Sequence, residues 1–291
     1  MMEFKGTGVA LVTPFNVSLD VDYDALTKLI ELQVAGGTDF LVVQGTTGET
    51  ATLNTEEKRK VLSHIVKVNA GRLPIVLGLA GNNTAQTVED FRNQDFEGVD
   101  AILSASPHYN KPSQNGIIAH FEALSAVSEL PIILYNVPGR TGSNMTADTI
   151  LKLAELPNIV AVKEASGDFD QVMKIVQNAP SGFNVLSGED ALTVPMMSVG
   201  VKGVISVVAN AYPEMFSEMI NAALKGDFEK AKENHYKLLD STYAFFAEGN
   251  PSGVKAALEI RGVMENQLRL PLTAVSNTLY NSIKDLSSGL K

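Results

Sequence analysis

Cysteine is absent from this 291-residue chain. Without cysteine there is no disulfide, no thiolate zinc site and no cysteine nucleophile. No uninterrupted apolar run approaches the roughly 18 residues that predict a membrane-spanning helix. The first residues, which include Glu3 and Lys5, do not have the pattern of a signal or transit peptide. We therefore expect a soluble, cytoplasmic protein with no membrane association.

Positive charge is scarce as well. The chain has 23 Lys and Arg against 33 Asp and Glu, for a formal net charge of −10. Nucleic-acid binding requires clusters of basic side chains that neutralise phosphates, so nucleic acid is not expected as a partner. An anionic small substrate is compatible with this charge, because one or two local cations can hold it. The four histidines show no spacing typical of metal ligands, so no metal site is predicted.

What the chain does contain is a regular alternation of short β-branched runs and longer amphipathic stretches. Strict alternation of strand and helix predicts a parallel sheet with right-handed crossovers. Eight such units match the size of a TIM barrel, so we predict an α/β fold, a (β/α)8 TIM barrel. The alternative is an open doubly wound sheet, but no G-x-G-x-x-G motif follows an early strand. The strands are predicted at Gly8–Pro14, Phe40–Gly45, Ile75–Leu79, Ala101–Ser106, Ile132–Asn136, Ile159–Lys163, Asn184–Ser187 and Gly203–Val208.

The last part of the chain has only helical patterns. After Tyr212 no further strand pattern occurs, and four amphipathic stretches follow. We expect the first of these helices to close the barrel, at residues 1–224, and the others to form a C-terminal helical extension, at residues 225–291. The predicted helices are Glu214–Leu224, Phe228–Ala247, Pro251–Met264 and Thr273–Leu286.

Polar residues at the predicted strand ends should converge on one mouth, where TIM barrels place their active sites. Lys163 ends the apolar run Ile159–Val162, so its stem should lie against the barrel interior. An amine shielded from water is more readily neutral and can then act as a nucleophile. The alternative is a lysine that ends a strand and extends to water. Glu189 and Asp190, after the seventh strand, could bind a cation, although charge at a helix N-terminus is the simpler interpretation.

Other candidates lie at neighbouring strand ends. Tyr135 could pass protons through its hydroxyl, or be a half-buried tyrosine with one hydrogen bond. Thr46 and Thr47 could offer hydroxyls and backbone N–H groups to a carboxylate, or form an ordinary strand-to-helix turn. Arg140 lies in a loop stiffened by Pro138, where its planar guanidinium suits a carboxylate or is simply solvated.

Three segments together resemble the dihydrodipicolinate synthase (4-hydroxy-tetrahydrodipicolinate synthase) family, within the pyruvate-dependent class I aldolase and N-acetylneuraminate lyase superfamily. They are Gly45–Glu49, Tyr135–Gly142 and Val162–Ala165, and the resemblance extends over nearly the whole chain, including Asn250-Pro251 and Leu270-Pro271. It implies a homotetrameric enzyme that condenses pyruvate with L-aspartate 4-semialdehyde, the first committed step of diaminopimelate and lysine biosynthesis. It implies no metal and no bound cofactor.

The resemblance also assigns catalytic roles. Lys163 would form a Schiff base with pyruvate. Tyr135, Thr46 and Tyr109 would form a hydroxyl relay, with Tyr109 contributed across a subunit interface.

The implied substrate-binding residues are Thr47, Arg140, Gly188 and Ile205. Thr47 would hold the pyruvate carboxylate through its hydroxyl and backbone, and Arg140 would bind the carboxylate of the semialdehyde. Gly188 and Ile205 would place backbone carbonyls near the lysine.

One departure from the family concerns feedback inhibition by lysine. Lysine-sensitive members have an acidic side chain at the position of Gln86, a histidine at Lys58 and often a tyrosine at His108. Here the carboxylate is missing and Lys58 adds like charge, so we predict weak or absent inhibition. The resemblance places the inhibitor site around Thr50, Ala51, Thr55, Lys58, Asn82, Gln86 and His108.

Two alternative functions come from the same motifs. The first is a lyase or aldolase that acts on a sugar acid such as N-acetylneuraminate or a 2-keto-3-deoxy acid. Arg140, in its Pro-Gly-Arg-Thr-Gly run, argues against it, because related lyases typically lack that run. The second is a barrel that binds a keto acid without catalysis. Binding alone does not require an amine, so the joint presence of Thr46, Thr47, Tyr135 and Lys163 argues against it.

Overall fold

A computed structural model describes residues 3–290. Its eight parallel strands form a closed barrel in sequence order, and β1 pairs with β8. This closure confirms the predicted TIM barrel and excludes the open sheet. The strands are β1 Gly6–Ala10, β2 Phe40–Val43, β3 Ile75–Gly78, β4 Ala101–Ala105, β5 Ile132–Asn136, β6 Ile159–Glu164, β7 Asn184–Ser187 and β8 Gly203–Ser206.

Most helices begin at a polar side chain that accepts a hydrogen bond from the first turn. At the second helix, Asn54 and Glu57 form a reciprocal capping box, with both hydrogen bonds at 2.9 Å. Between and after the strands lie α1 Tyr23–Ala35, α2 Thr55–Asn69, α3 Thr84–Asn93, α4 Gln114–Ser125, α5 Pro138–Thr141, α6 Ala147–Leu153, α7 Phe169–Asn178, α8 Thr193–Ser198 and α9 Pro213–Leu224.

The start of the first strand was predicted wrongly. It was expected at Gly8, but β1 begins at Gly6, where φ is +81° and the strand joins β8. The backbone N–H of Thr7 donates to the Asp39 carboxylate at 2.7 Å, and this distant contact anchors the strand start. The strand also ends early, at Ala10, because Val12 turns its N–H to the side chain of Asn210 at 3.1 Å.

Side-chain alternation divides the strand residues between two apolar layers. Inward-facing residues fill the barrel and outward-facing ones pack against the helices. On β6, Ala161 faces inward and Val162 outward, so Lys163 returns to the inward face. The barrel interior consists of Phe4, Ala10, Phe40, Val42, Val76, Ala101, Leu103, Ile133, Val160, Ala161, Leu186 and Ile205, with Tyr135 packed against it.

The predicted C-terminal helices are present, as α10 Phe228–Phe246, α11 Ser252–Ile260 and α12 Asn277–Ser288. The last one begins later than predicted because the Ser276 side chain caps it, accepting from the N–H of Leu279. The division into barrel and extension at residue 224 stays a prediction. Within residues 3–290, no helix is both long enough and apolar enough to cross a membrane.

Candidate active site

Lys163 lies at the top of the apolar barrel interior. Only 5% of its surface is exposed, and its Nζ is 4.4 Å from the centroid of the Tyr135 ring. The two residues are register partners on β5 and β6, which places them side by side. The amine is therefore largely enclosed and lies over the face of a phenol ring. A buried lysine amine of this kind can act as a nucleophile once it has lost its proton.

The lysine opens into a cavity of about 320 Å³ at the carboxyl ends of the strands. The cavity brings together six of the predicted site residues: Lys163, Tyr135, Thr46, Thr47, Arg140 and Gly188. A larger groove of about 850 Å³ lies beside α9 and α12, and none of the predicted site residues line it. The rest of the catalytic-end cavity is formed by Ala10, Val42, Gly45, Leu103, Val137, Gly139, Ala165, Glu189, Val207, Phe246 and Asn250.

The two threonines lie on a single 3-10 turn, Thr46–Gly48, directly after β2. Thr13 fixes this turn by donating its hydroxyl to the carbonyl of Gly48 at 2.7 Å. The hydroxyl of Thr47 accepts a hydrogen bond from Nδ2 of Asn250 at 2.9 Å. Because that bond uses an acceptor position, the hydroxyl can still donate its own proton to an anion in the cavity.

Gly188 is required at its position by the close approach of Ala165 and, next, of the Lys163 stem. A Cβ at residue 188 would lie 2.5 Å from Cβ of Ala165 and 3.1 Å from Cε of Lys163. A larger residue would therefore displace the lysine stem.

Outside the barrel wall, a buried polar network holds the ends of β5 and β6 together. Glu164 alternates with Lys163 and points outward, where it is fully buried. Its carboxylate accepts hydrogen bonds from Nδ2 of Asn136 at 2.9 Å, the N–H of Ser166 at 2.7 Å and Nε2 of Gln171 at 3.0 Å. Asn136 in turn accepts from the N–H of Met145 at 2.9 Å. These bonds fix the strand ends that carry Tyr135 and Lys163.

The rim of the cavity carries charge of both signs. Arg140 is exposed there, in the single-turn helix α5. Burial raises the pKa of Glu189 above its ordinary value, and the nearby charge of Asp190 adds to the increase. Lys163 and Arg140 act in the opposite direction. Glu189 and the two cations are therefore electrostatically coupled across one cavity.

Asp190 has a structural role that the sequence did not indicate. It is buried, and its Oδ2 accepts hydrogen bonds from the N–H groups of Val207 at 2.9 Å and Val208 at 3.3 Å. The carboxylate therefore ties the loop after β8 to the loop after β7. Burial raises the pKa of Asp190.

Two predicted residues lie outside this cavity. Tyr109 is 86% exposed and has a φ of +71°, a conformation that non-glycine residues rarely adopt. Ile205 is buried inside the barrel, below the cavity.

Of the eleven cavity residues that were not among the predicted site residues, three are polar or aromatic: Glu189, Asn250 and Phe246. The sequence placed Glu189 at the mouth, after the seventh strand, but favoured helix-terminal charge over a role in the site. Asn250 was noted only for its dipeptide with Pro251. Phe246, at the end of α10, carries no sequence signal because a helical tertiary contact brings it to the rim.

The comparisons with known proteins agree with this geometry. The fold and the site together define a Schiff-base-forming barrel enzyme of the class I aldolase type. Residues 3–289 match the model of the dihydrodipicolinate synthetase family, and the chain belongs to that family.

Relatives and solved structures support this assignment over nearly the whole chain. The 4-hydroxy-tetrahydrodipicolinate synthase of Parabacteroides distasonis is 50% identical over 98% of this chain and 96% of its own. The crystal structure of dihydrodipicolinate synthase from Thermotoga maritima is 38% identical, covers 100% of both chains and has a TM-score of 0.96. The enzyme from Cyanidioschyzon merolae with lysine bound is 38% identical, with a TM-score of 0.94 over 98% of each chain.

Among the residues predicted to form the lysine-inhibitor site, Gln86 has a hydrogen-bond partner within its own helix. Gln86 is exposed on α3, and its amide nitrogen donates to the carboxylate of Asp90 at 2.9 Å. The side chain at this position is therefore neutral and already engaged on its own helix.

We predict that lysine inhibits this protein weakly or not at all, because position 86 offers no carboxylate to the ligand's ammonium and Lys58 repels it. Initial rates measured with and without millimolar lysine should be nearly equal. In the matched variant Gln86→Glu, sensitivity should increase. A micromolar inhibition constant for the unmodified protein would contradict the prediction.

Proposed function

We propose that this chain condenses pyruvate with L-aspartate 4-semialdehyde as a 4-hydroxy-tetrahydrodipicolinate synthase, the first committed step of diaminopimelate and lysine biosynthesis. The observation that carries the proposal is the buried amine of Lys163, packed against the Tyr135 phenol in a cavity that also holds Thr47 and Arg140. The amine supplies the covalent chemistry, and the hydroxyls and the guanidinium supply sites for two carboxylates. We propose a cytoplasmic location, where such a pathway operates.

The first step is formation of the Schiff base. The neutral amine of Lys163 attacks the keto carbon of pyruvate, and water leaves after proton transfers in which the Tyr135 hydroxyl takes part. Thr46 lines the same cavity, and its hydroxyl extends the relay. Thr47 holds the pyruvate carboxylate by donating its hydroxyl proton. The backbone carbonyls of Gly188 and Ile205 orient the lysine nitrogen.

The second step forms the carbon–carbon bond. The protonated Schiff base withdraws electrons, so the methyl group of pyruvate loses a proton and becomes an enamine. The enamine carbon attacks the aldehyde carbon, whose oxygen takes up a proton. The substrate amine then attacks the former keto carbon, the bond to Lys163 breaks and the ring is released. Arg140 holds the carboxylate of the semialdehyde during these steps.

The covalent step is tested by reducing the protein with borohydride in the presence of pyruvate. Mass spectrometry should show one added three-carbon acid on Lys163, because reduction makes the Schiff base permanent. Lys163→Ala should abolish both the adduct and activity, whereas Lys202→Ala, which removes an exposed lysine after α8, should change neither. An adduct on another lysine, or none, would overturn the proposal.

Arg140→Ala should lower kcat/KM for L-aspartate 4-semialdehyde by about 10- to 100-fold, the loss of a charged hydrogen bond of about 1.5–3 kcal/mol. The amount of pyruvate that borohydride traps on Lys163 should change little, because Arg140 lies at the rim of the cavity. Arg59→Ala, which removes an exposed arginine from α2, serves as the control. An unchanged kcat/KM for the semialdehyde would exclude the assigned role.

We further propose a homotetramer in which Tyr109 enters the hydroxyl relay of a neighbouring subunit. Its support is the conformation of Tyr109, which is held at a positive φ with its ring almost fully exposed and away from its own cavity. A strained backbone conformation that exposes an aromatic ring is explained if the ring packs into a neighbouring subunit of the oligomer.

Tyr109→Phe and Lys163→Ala should each be nearly inactive alone, yet co-expression should restore part of the activity. A mixed oligomer has sites that combine Lys163 of one subunit with Tyr109 of the other. Activity of mixed oligomers isolated with two affinity tags is the measurement. If such oligomers form and stay inactive, Tyr109 does not act across the interface.

A further inference from the structure

Lys255, on α11, is a completely buried lysine outside the catalytic cavity. Its Nζ forms an ion pair with Glu49 at 2.5 Å and donates to the carbonyl of Gln267 at 2.9 Å. The ammonium also lies 4.3 Å from the centroid of the Phe15 ring. Burial lowers the pKa of Lys255 to about 8, although Glu49 acts against the decrease. A buried ammonium destabilises the folded state unless it is paired with a negative charge. Lys255 is therefore expected to have a specific role at this position.

Glu49 connects this charge to the catalytic loop. It follows the Thr46–Gly48 turn directly and has a φ of +52°. Both oxygens of its carboxylate are directed to the C-terminal segment: Oε1 pairs with Lys255, and Oε2 accepts from the N–H of Arg269 at 3.1 Å. A non-glycine residue keeps a left-handed conformation when its surroundings hold it there. Here the surroundings come from more than 200 positions away in the sequence.

Arg269 adds a second attachment around the same loop. Its guanidinium donates to the carbonyl of Thr52 at 3.0 Å and to the carboxylate of Glu57 at 2.6 Å. It also lies 4.4 Å from the Phe15 ring centroid. The segment from the 3-10 turn to the start of α2 is therefore clamped on the side away from the cavity.

Asn250 is the third attachment, and it acts on the substrate side. Its Nδ2 donates to the Thr47 hydroxyl at 2.9 Å, and the residue is 9% exposed at the cavity wall. With this acceptor position filled, the Thr47 proton is directed away from Asn250. A hydroxyl oriented in this way is a fixed donor for a carboxylate.

We propose that Asn250 and Lys255 are positioning residues for the keto-acid carboxylate, so that the C-terminal extension completes the substrate pocket. Asn250 orients the Thr47 hydroxyl, and Lys255, through Glu49, holds the turn on which Thr46 and Thr47 lie. The inference rests on the proposed function, since it takes the pyruvate carboxylate as the ligand of this turn. The inference adds to that function a role for the C-terminal extension: it contributes to the selection of substrates that bear a carboxylate.

The test compares two ketones that form the same Schiff base. Pyruvate carries a carboxylate, whereas hydroxyacetone is a methyl ketone without one. The rate at which cyanoborohydride traps each ketone on Lys163 is measured by mass spectrometry at subsaturating concentration. The ratio of the two rates reports recognition of the carboxylate and cancels general effects on the amine.

Asn250→Ala should reduce trapping of pyruvate by about tenfold, the effect of one hydrogen bond to a charged group. Trapping of hydroxyacetone should stay near the unmodified rate. The double variant Glu49→Gln/Lys255→Met removes both buried charges together, so no unpaired charge is left, and it should shift the ratio in the same direction. Asn277→Ala and Lys284→Met, exposed residues of the same extension, are the matched controls and should leave the ratio unchanged.

The outcomes separate the two proposals. Equal losses for both ketones, or no loss for either, in Asn250→Ala would overturn the positioning role and leave the proposed function intact. A single Lys255→Met variant that does not fold would not affect this conclusion, because Asn250→Ala changes no charge. If the unmodified protein traps hydroxyacetone but not pyruvate, the proposed function itself fails, and the positioning role fails with it.

Discussion

The packing of one amine against one aromatic ring is the interaction on which the rest of the site depends. Lys163 can face the barrel interior because it has the same strand parity as Ala161, and Tyr135 meets it because the two are register partners. The interior below them is filled largely by apolar side chains, and the lysine lines the cavity above. This geometry places a lysine amine where a substrate in the cavity can reach it for covalent chemistry.

Charged groups behind the cavity wall keep this geometry in place. Glu164 joins the ends of β5 and β6 through Asn136, and Asp190 joins the loops after β7 and β8. The carboxylate of Glu164 accepts from backbone and amide N–H groups, and Oδ2 of Asp190 accepts from two backbone N–H groups. The cavity wall is thus held in position by polar side chains that lie behind it and do not line the cavity.

The acidic protein places basic side chains in its site. The chain carries a formal charge of −10, yet Lys163 and Arg140 both line the cavity. Glu189 is the acidic exception there, and burial shifts it towards its neutral form. Two anionic substrates can therefore meet a locally favourable field on an acidic protein, because charge at short range outweighs screened charge at a distance.

The barrel, its C-terminal helices and the core of the site could be predicted from local patterns. Alternation with period 2 determines that Lys163 shares a face with the barrel interior, and strand ends determine which loops meet at the mouth. The start of β1 was missed because it depends on Asp39 and β8, which are not neighbours in the sequence. Asn250, Lys255 and Arg269 reach the Thr46–Glu49 segment across more than 200 residues. Only the folded chain decides such contacts, since a hydrogen bond between distant residues leaves no periodic trace in either segment.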